Sequence, residues 1–125
     1  MSMNAGEFVG LLFLARDLAH KAHLKAKGEG SYAKHVALGE FYESLTELAD
    51  EFAEQYQGRF DELLDVPLLD NEYEGEILPV LRQMMDYIEQ CREDIVPRTY
   101  TSLHNTIDEV VRTYERALYK LKFLR

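Results

Sequence analysis

Two histidines and two carboxylates stand at spacings that suit a divalent metal: His23, His35, Asp50 and Glu54, separated by eleven, fourteen and three residues. Imidazole nitrogen and carboxylate oxygen together suit iron, zinc and manganese. A helical protein builds such a site by bringing residues far apart in sequence to one level of a bundle. His20 forms a His-x-x-His with His23, a weak metal signal by itself, and Glu43 and Glu47 extend the acid-bearing flank of Asp50 and Glu54.

The elements that must position these residues are helices. Phe8, Leu12, Ala15, Ala19, Ala22 and Ala26 recur at steps of three and four and predict a first helix from about Asn4 to Lys27, with His23 continuing the stripe. Gly28 and Gly30 end it, and Ser31 is placed to cap the next. Leu38, Tyr42, Leu45, Ala49, Phe52 and Tyr56 predict a second helix from Tyr32 to about Gln57, with its end at Gly58 or a further turn running through Leu64. Asp65–Gly75, with Pro67 and Asn71, reads as a connection. A third helix carries Ile77, Leu81, Met84, Ile88 and Cys91, with Pro79 in its first turn and Pro97 beyond its end. A fourth covers Thr101 to Phe123, with Leu103, Ile107, Val110, Tyr114, Leu118 and Leu121 inward. The fold class is therefore all-α, an antiparallel four-helix bundle formed by residues 1–125 as one domain.

At 100° per residue, His35 lies about 50° from the apolar centre of the second helix, whereas Asp50 and Glu54 lie roughly 110° and 150° away. One subunit cannot easily aim all four at one ion. Two copies packed antiparallel through the second helix would bring the histidines of one to Asp50 and Glu54 of the other. A homo-oligomer, at least a dimer, is the expectation.

The stretch from about Arg16 to Tyr56 resembles the Dps branch of the ferritin-like superfamily, the mini-ferritins. The resemblance rests on His23 followed by Gly28, on His35 twelve residues after His23, and on Asp50-Glu51-Phe52-Ala53-Glu54, similar to the family's Asp-x-x-Ala-Glu. It implies a ferritin-like bundle and an iron ferroxidase centre shared between subunits, with His23, His35, Asp50 and Glu54 as metal ligands. The chain departs from the pattern at three places. Gly39 stands where the family has a further Asp, leaving Glu40 or Glu43 as auxiliary ligands; Leu24 replaces an aromatic residue, and Gln55 replaces an Arg. The shorter chain also lacks the mobile basic tail of the family, which counts against DNA condensation.

Composition narrows the alternatives. The net charge of −9 argues against a broad nucleic-acid-binding face, and no nucleic-acid partner is expected. The longest apolar run, Phe8 to Ala15, is too short to span a bilayer, and no basic region precedes it, so neither a membrane span nor a secretory signal is expected. The single cysteine, Cys91, fits a reducing compartment and a core position, and the expected location is cytoplasmic. His104 has no matching partner and reads as structural or solvated; His20 reads as exposed. Two functions compete: a metal-binding protein that oxidises ferrous iron, and a non-catalytic bundle whose acidic faces contact a protein partner.

Overall fold

A computed structural model describes residues 2–124 as four α-helices, with no strand among the described residues. The helices are α1 (Ala5–Lys25), α2 (Ser31–Phe60), α3 (Ile77–Ile95) and α4 (Thr101–Phe123). Asn4 starts α1 through a capping box: its side chain accepts from the Glu7 N–H at 2.8 Å, and the Glu7 carboxylate accepts from the Asn4 N–H at 2.9 Å. The helix stops at Lys25, two residues short of the expected end, because Ala26 is already extended.

The start and end of α2 differ from the sequence expectation. Ser31 is its first helical residue rather than its cap; Gly30 occupies the cap position in the left-handed region, at φ 78°. Gly58 does not end the helix, which runs on to Phe60 and stops at Asp61, φ 56°. Tertiary contact carries it past the glycine. Phe60 packs on Tyr56 and Tyr100, with ring centroids at 4.6 and 4.9 Å, and such packing outweighs the roughly 1 kcal/mol cost of a helical glycine. α3 takes Pro79 in its first turn, and Pro97 lies just beyond its end.

Short turns make α1–α2 and α3–α4 two antiparallel hairpins. The segment 61–76 joins them by running the length of α1. It presses on Gly6, where an added Cβ would lie 2.1 Å from the Asp65 carbonyl oxygen, and on Gly10, where it would lie 2.7 Å from that of Pro67. Farther along, Tyr73 and Gly75 share a cleft with Leu18 and Ala22. The crossover thus delivers α3 to the end at which α2 began. α2 and α3 lie parallel on one diagonal, and every pair of touching helices (α1 with α2 and α3, α4 with α2 and α3) is antiparallel. The α2–α4 register is fixed by Lys120 on Glu40 near one end and by the Thr106 hydroxyl donating to Gln55 toward the other.

The core sits between all four helices. Phe8, Leu12, Leu38, Leu45, Phe52, Leu81, Met84, Ile88, Cys91, Ile107 and Tyr114 are fully buried. Each large apolar side chain withdrawn from water contributes roughly 1.5–3 kcal/mol before the entropy of ordering is set against it. Phe8 meets Phe52 edge-on at 4.8 Å, and Phe41 meets Tyr114 at 4.9 Å. Among the described residues no helix is long and apolar enough to cross a membrane.

Candidate metal centre

His23 ends the apolar stripe of α1, and His35 lies on the first turns of α2, so the α1–α2 hairpin places them face to face. Their rings stack with centroids 3.6 Å apart and planes 18° from parallel. Each imidazole reaches the other residue's backbone. His23 Nδ1–H donates to the His35 carbonyl at 2.6 Å, and His35 Nδ1–H donates to the His23 carbonyl at 3.0 Å. A carbonyl oxygen only accepts, so both Nδ1 atoms carry a proton, and in the neutral form of each ring Nε2 is the nitrogen with the lone pair. A backbone carbonyl that fixes the tautomer and angle of a ring is the usual support behind a metal-binding histidine.

The stack also limits how metal can bind. A nitrogen lone pair lies in its ring plane, and a metal–nitrogen bond measures about 2.0–2.1 Å. Two nearly parallel planes separated by the 3.6 Å stack do not meet within that length. The two Nε2 atoms therefore suit two neighbouring ions, one each, or a single ion after one ring has turned.

Gly39 gives the stack its room. An added Cβ there would stand 3.2 Å from Cε1 and 3.4 Å from Nδ1 of His23. The position at which the mini-ferritin pattern has an acid is thus the position against which the His23 ring rests. Tyr42 lies edge-on to His23 at 5.4 Å and stacks on His20 at 4.3 Å. His20 is exposed, as expected, yet it belongs to this aromatic group.

Asp50 and Glu54 are exposed on α2. They lie fifteen and nineteen residues from His35 on one unbroken helix, hence roughly 22 and 28 Å along its axis. The structure brings the two histidines together and leaves the two carboxylates far from them within the chain. Among the described residues no three His, Cys, Asp or Glu side chains are grouped so as to hold a metal ion. Of the auxiliary acids, Glu40 is held by Lys120 of α4, while Glu43 is exposed on the same helix as Asp50. Gln55 is occupied by Thr106, and Leu24 is exposed. The helical rise between His35 and Asp50 was available from the sequence and separates them more firmly than the angular offset does.

His104 forms a second polar centre, at the α3–α4 corner, and it is buried and structural. Arg92 Nε–H donates to His104 Nδ1 at 3.3 Å, and His104 Nε2–H donates to the Val96 carbonyl at 2.9 Å. The Arg92 Nη2 group reaches the His104 carbonyl at 3.2 Å and Asp108 at 2.7 Å, while Nη1 reaches Glu89 at 2.9 Å. The hydrogen bond from Arg92 holds the Asp108 carboxyl below the usual carboxylate range, against a smaller opposing effect of burial. Every nitrogen of the His104 ring is occupied by protein, so this histidine offers no lone pair to a metal. Sequence reasoning missed the network; an arginine twelve residues before a histidine across a Pro-containing turn was the available signal.

The profile of a protein family described as a family of unknown function (DUF5856) matches residues 23–121. The chain is also similar to an uncharacterised 14.6 kDa protein of the mobD–ri intergenic region of Enterobacteria phage T4. The two are 26% identical over 118 residues, which cover 94% of this chain and 87% of the phage protein. No solved structure matches the chain.

Proposed function

The chain belongs to the DUF5856 family of unknown function, and from its own site we propose that it is a ferritin-like metal-binding protein whose His23–His35 pair supplies half of a divalent-metal centre. The reciprocal Nδ1–H···O=C bonds carry this reading. They fix both rings with Nδ1 as the donor, so that the neutral imidazoles, the form that binds metal, present Nε2. Asp50 and Glu54 of a second copy, packed antiparallel along α2, supply the oxygen donors. The single long crossover between the second and third helices is the connectivity of ferritin-like bundles, which supports the same assignment.

The substrate proposed is Fe²⁺, with Zn²⁺ and Mn²⁺ as ions that the same donors accept, and the activity proposed is oxidation of Fe²⁺ by peroxide or oxygen. Metal held there would supply the redox chemistry. The chain's own residues orient two nitrogen donors, hold their tautomers, and add carboxylate charge from across the interface. Gly39 removes one carboxylate from the mini-ferritin pattern, so turnover slower than that of a full ligand set is expected.

The test is complementation. His23→Ala/His35→Ala subunits and Asp50→Ala/Glu54→Ala subunits are each expected to lose Fe²⁺ and Zn²⁺ binding by calorimetry, and their mixture to regain one site per mixed dimer. A protein that stays monomeric by light scattering, or a mixture that regains nothing, would overturn the shared site.

A further inference from the structure

All six lysines of the chain stand at one end of the bundle. Lys21, Lys25 and Lys27 lie where α1 runs out, Lys34 lies in the first turn of α2, and Lys120 and Lys122 lie in the last turn of α4. In a chain of net charge −9 this is a marked segregation. Cations at the C-termini of α1 and α4 complement the helix dipoles, and that alone accounts for most of them. It does not account for Lys34. This residue is the fourth of α2, at the helix end where the dipole disfavours a cation, and α2 has neither an acid in its first turn nor a side-chain cap. Lys34 is half-buried, and among the described residues it makes no ion pair within 4.0 Å.

Lys34 stands between two adjoining clefts of about 420 Å³ each. One is bordered by Lys27, Lys34 and Lys120, the other by Lys21, Lys25 and Lys34. Five lysines face two glutamates there, Glu29 and Glu76, and Lys120 also holds Glu40 at the rim. Both clefts include the start of α3, which has no side-chain cap. Pro79 has no N–H, so Glu76, Ile77 and Leu78 carry the N–H groups at that helix start without an intrahelical partner, the last two within the helix itself.

We propose that this lysine-lined end, between the α1–α2 turn and the start of α3, binds a small polyphosphate-type anion. Several separated ammonium groups suit several phosphoryl oxygens better than a single carboxylate. The N–H groups of Ile77 and Leu78, without an intrahelical partner among the described residues, add directed donors to the point charges of the lysines. Orthophosphate binds more weakly because it reaches fewer of these groups at once. The shared chemistry is the phosphoryl chain, whether it comes as inorganic polyphosphate or as the tail of a nucleotide.

The experiment uses metal-free full-length protein, so its outcome is independent of the metal reading. Sodium tripolyphosphate is titrated and followed by amide NMR and calorimetry, with orthophosphate, adenosine triphosphate and duplex DNA as separate arms. Saturable shifts of the Lys34, Ile77 and Leu78 amides are expected, with affinity falling as salt rises. Lys27→Ala/Lys34→Ala is expected to weaken tripolyphosphate at least roughly tenfold, while Arg59→Ala/Arg98→Ala, the same charge change at the opposite end of the bundle, leaves binding unaltered. Equal affinity for tripolyphosphate and adenosine triphosphate points to the inorganic chain, and tighter nucleotide binding to the nucleotide tail. Shifts scattered over all six lysines without Ile77 and Leu78, undiminished binding by the double variant, or binding of duplex DNA alone would overturn the proposal.

Discussion

The ring of His23 rests where a side chain on Gly39 would stand: an added Cβ would come within 3.2 Å of its Cε1 atom. The glycine therefore sets the angle at which His23 reaches the His35 carbonyl. Gly39→Ala is expected to leave global stability within about 1 kcal/mol of the parent, because the helical preference of alanine offsets the close contact. The same change should displace the stacked ring and weaken Zn²⁺ binding by roughly tenfold or more. Urea unfolding beside calorimetry separates the two effects, and unaltered metal affinity would show that the His23 ring angle is not set here.

Gly6 and Gly10 are expected to behave differently from Gly58. An added Cβ at either of the first two meets backbone of the crossover, at 2.1 and 2.7 Å, and backbone cannot swing aside as a side chain tip can. Gly6→Ala and Gly10→Ala should each destabilise by about 1–3 kcal/mol. Gly58 has nothing within 4 Å of the added atom and lies inside α2, so Gly58→Ala should stabilise by about 0.5–1 kcal/mol. Chemical denaturation of the three variants checks the opposite signs.

At the α3–α4 corner, His104→Ala is expected to cost about 2–4 kcal/mol, since it strands the buried Val96 carbonyl and removes one acceptor of Arg92. His104→Gln, which retains a donor and an acceptor, should recover part of this loss. Equal thermal midpoints for both variants and the parent would remove the network from any account of stability.

Asp108 sets a pH dependence of known sign. Its folded-state carboxyl is held below the ordinary range by the Arg92 hydrogen bond, so it contributes stability above its unfolded pKa and loses it as the pH falls through the lowered value. The group is partly exposed, and solvent screening keeps the contribution small. Asp108→Asn should therefore be less stable than the parent at neutral pH and indistinguishable from it below the range of ordinary carboxylates. Denaturation curves at the two pH values test this, and a deficit that persists in acid would assign the effect to packing instead.

The sequence by itself determined the four helices, because apolar residues at steps of three and four leave few other ways to bury Leu38, Leu45 and Phe52 or Leu81, Met84 and Ile88. It also determined the main breaks, at Gly28–Gly30 and around Pro67 and Pro97, and the core position of Cys91. Local chemistry was enough for these, since helical period and turn residues act within a few positions. The sequence supplied the four residues of metal-binding type, and the rise along α2 already kept Asp50 and Glu54 away from His35 within one chain. Only the tertiary structure decided that His23 and His35 stack and exchange hydrogen bonds. That depends on which residues of two helices meet at one level, and a five-residue turn does not encode it in spacing alone. The same holds for the crossover lying on the bare backbone of Gly6 and Gly10, for Arg92 closing on His104 and Asp108, and for six lysines gathered at one end. Each arises from the order in which the helices are laid side by side, a property of long-range packing rather than of any local pattern.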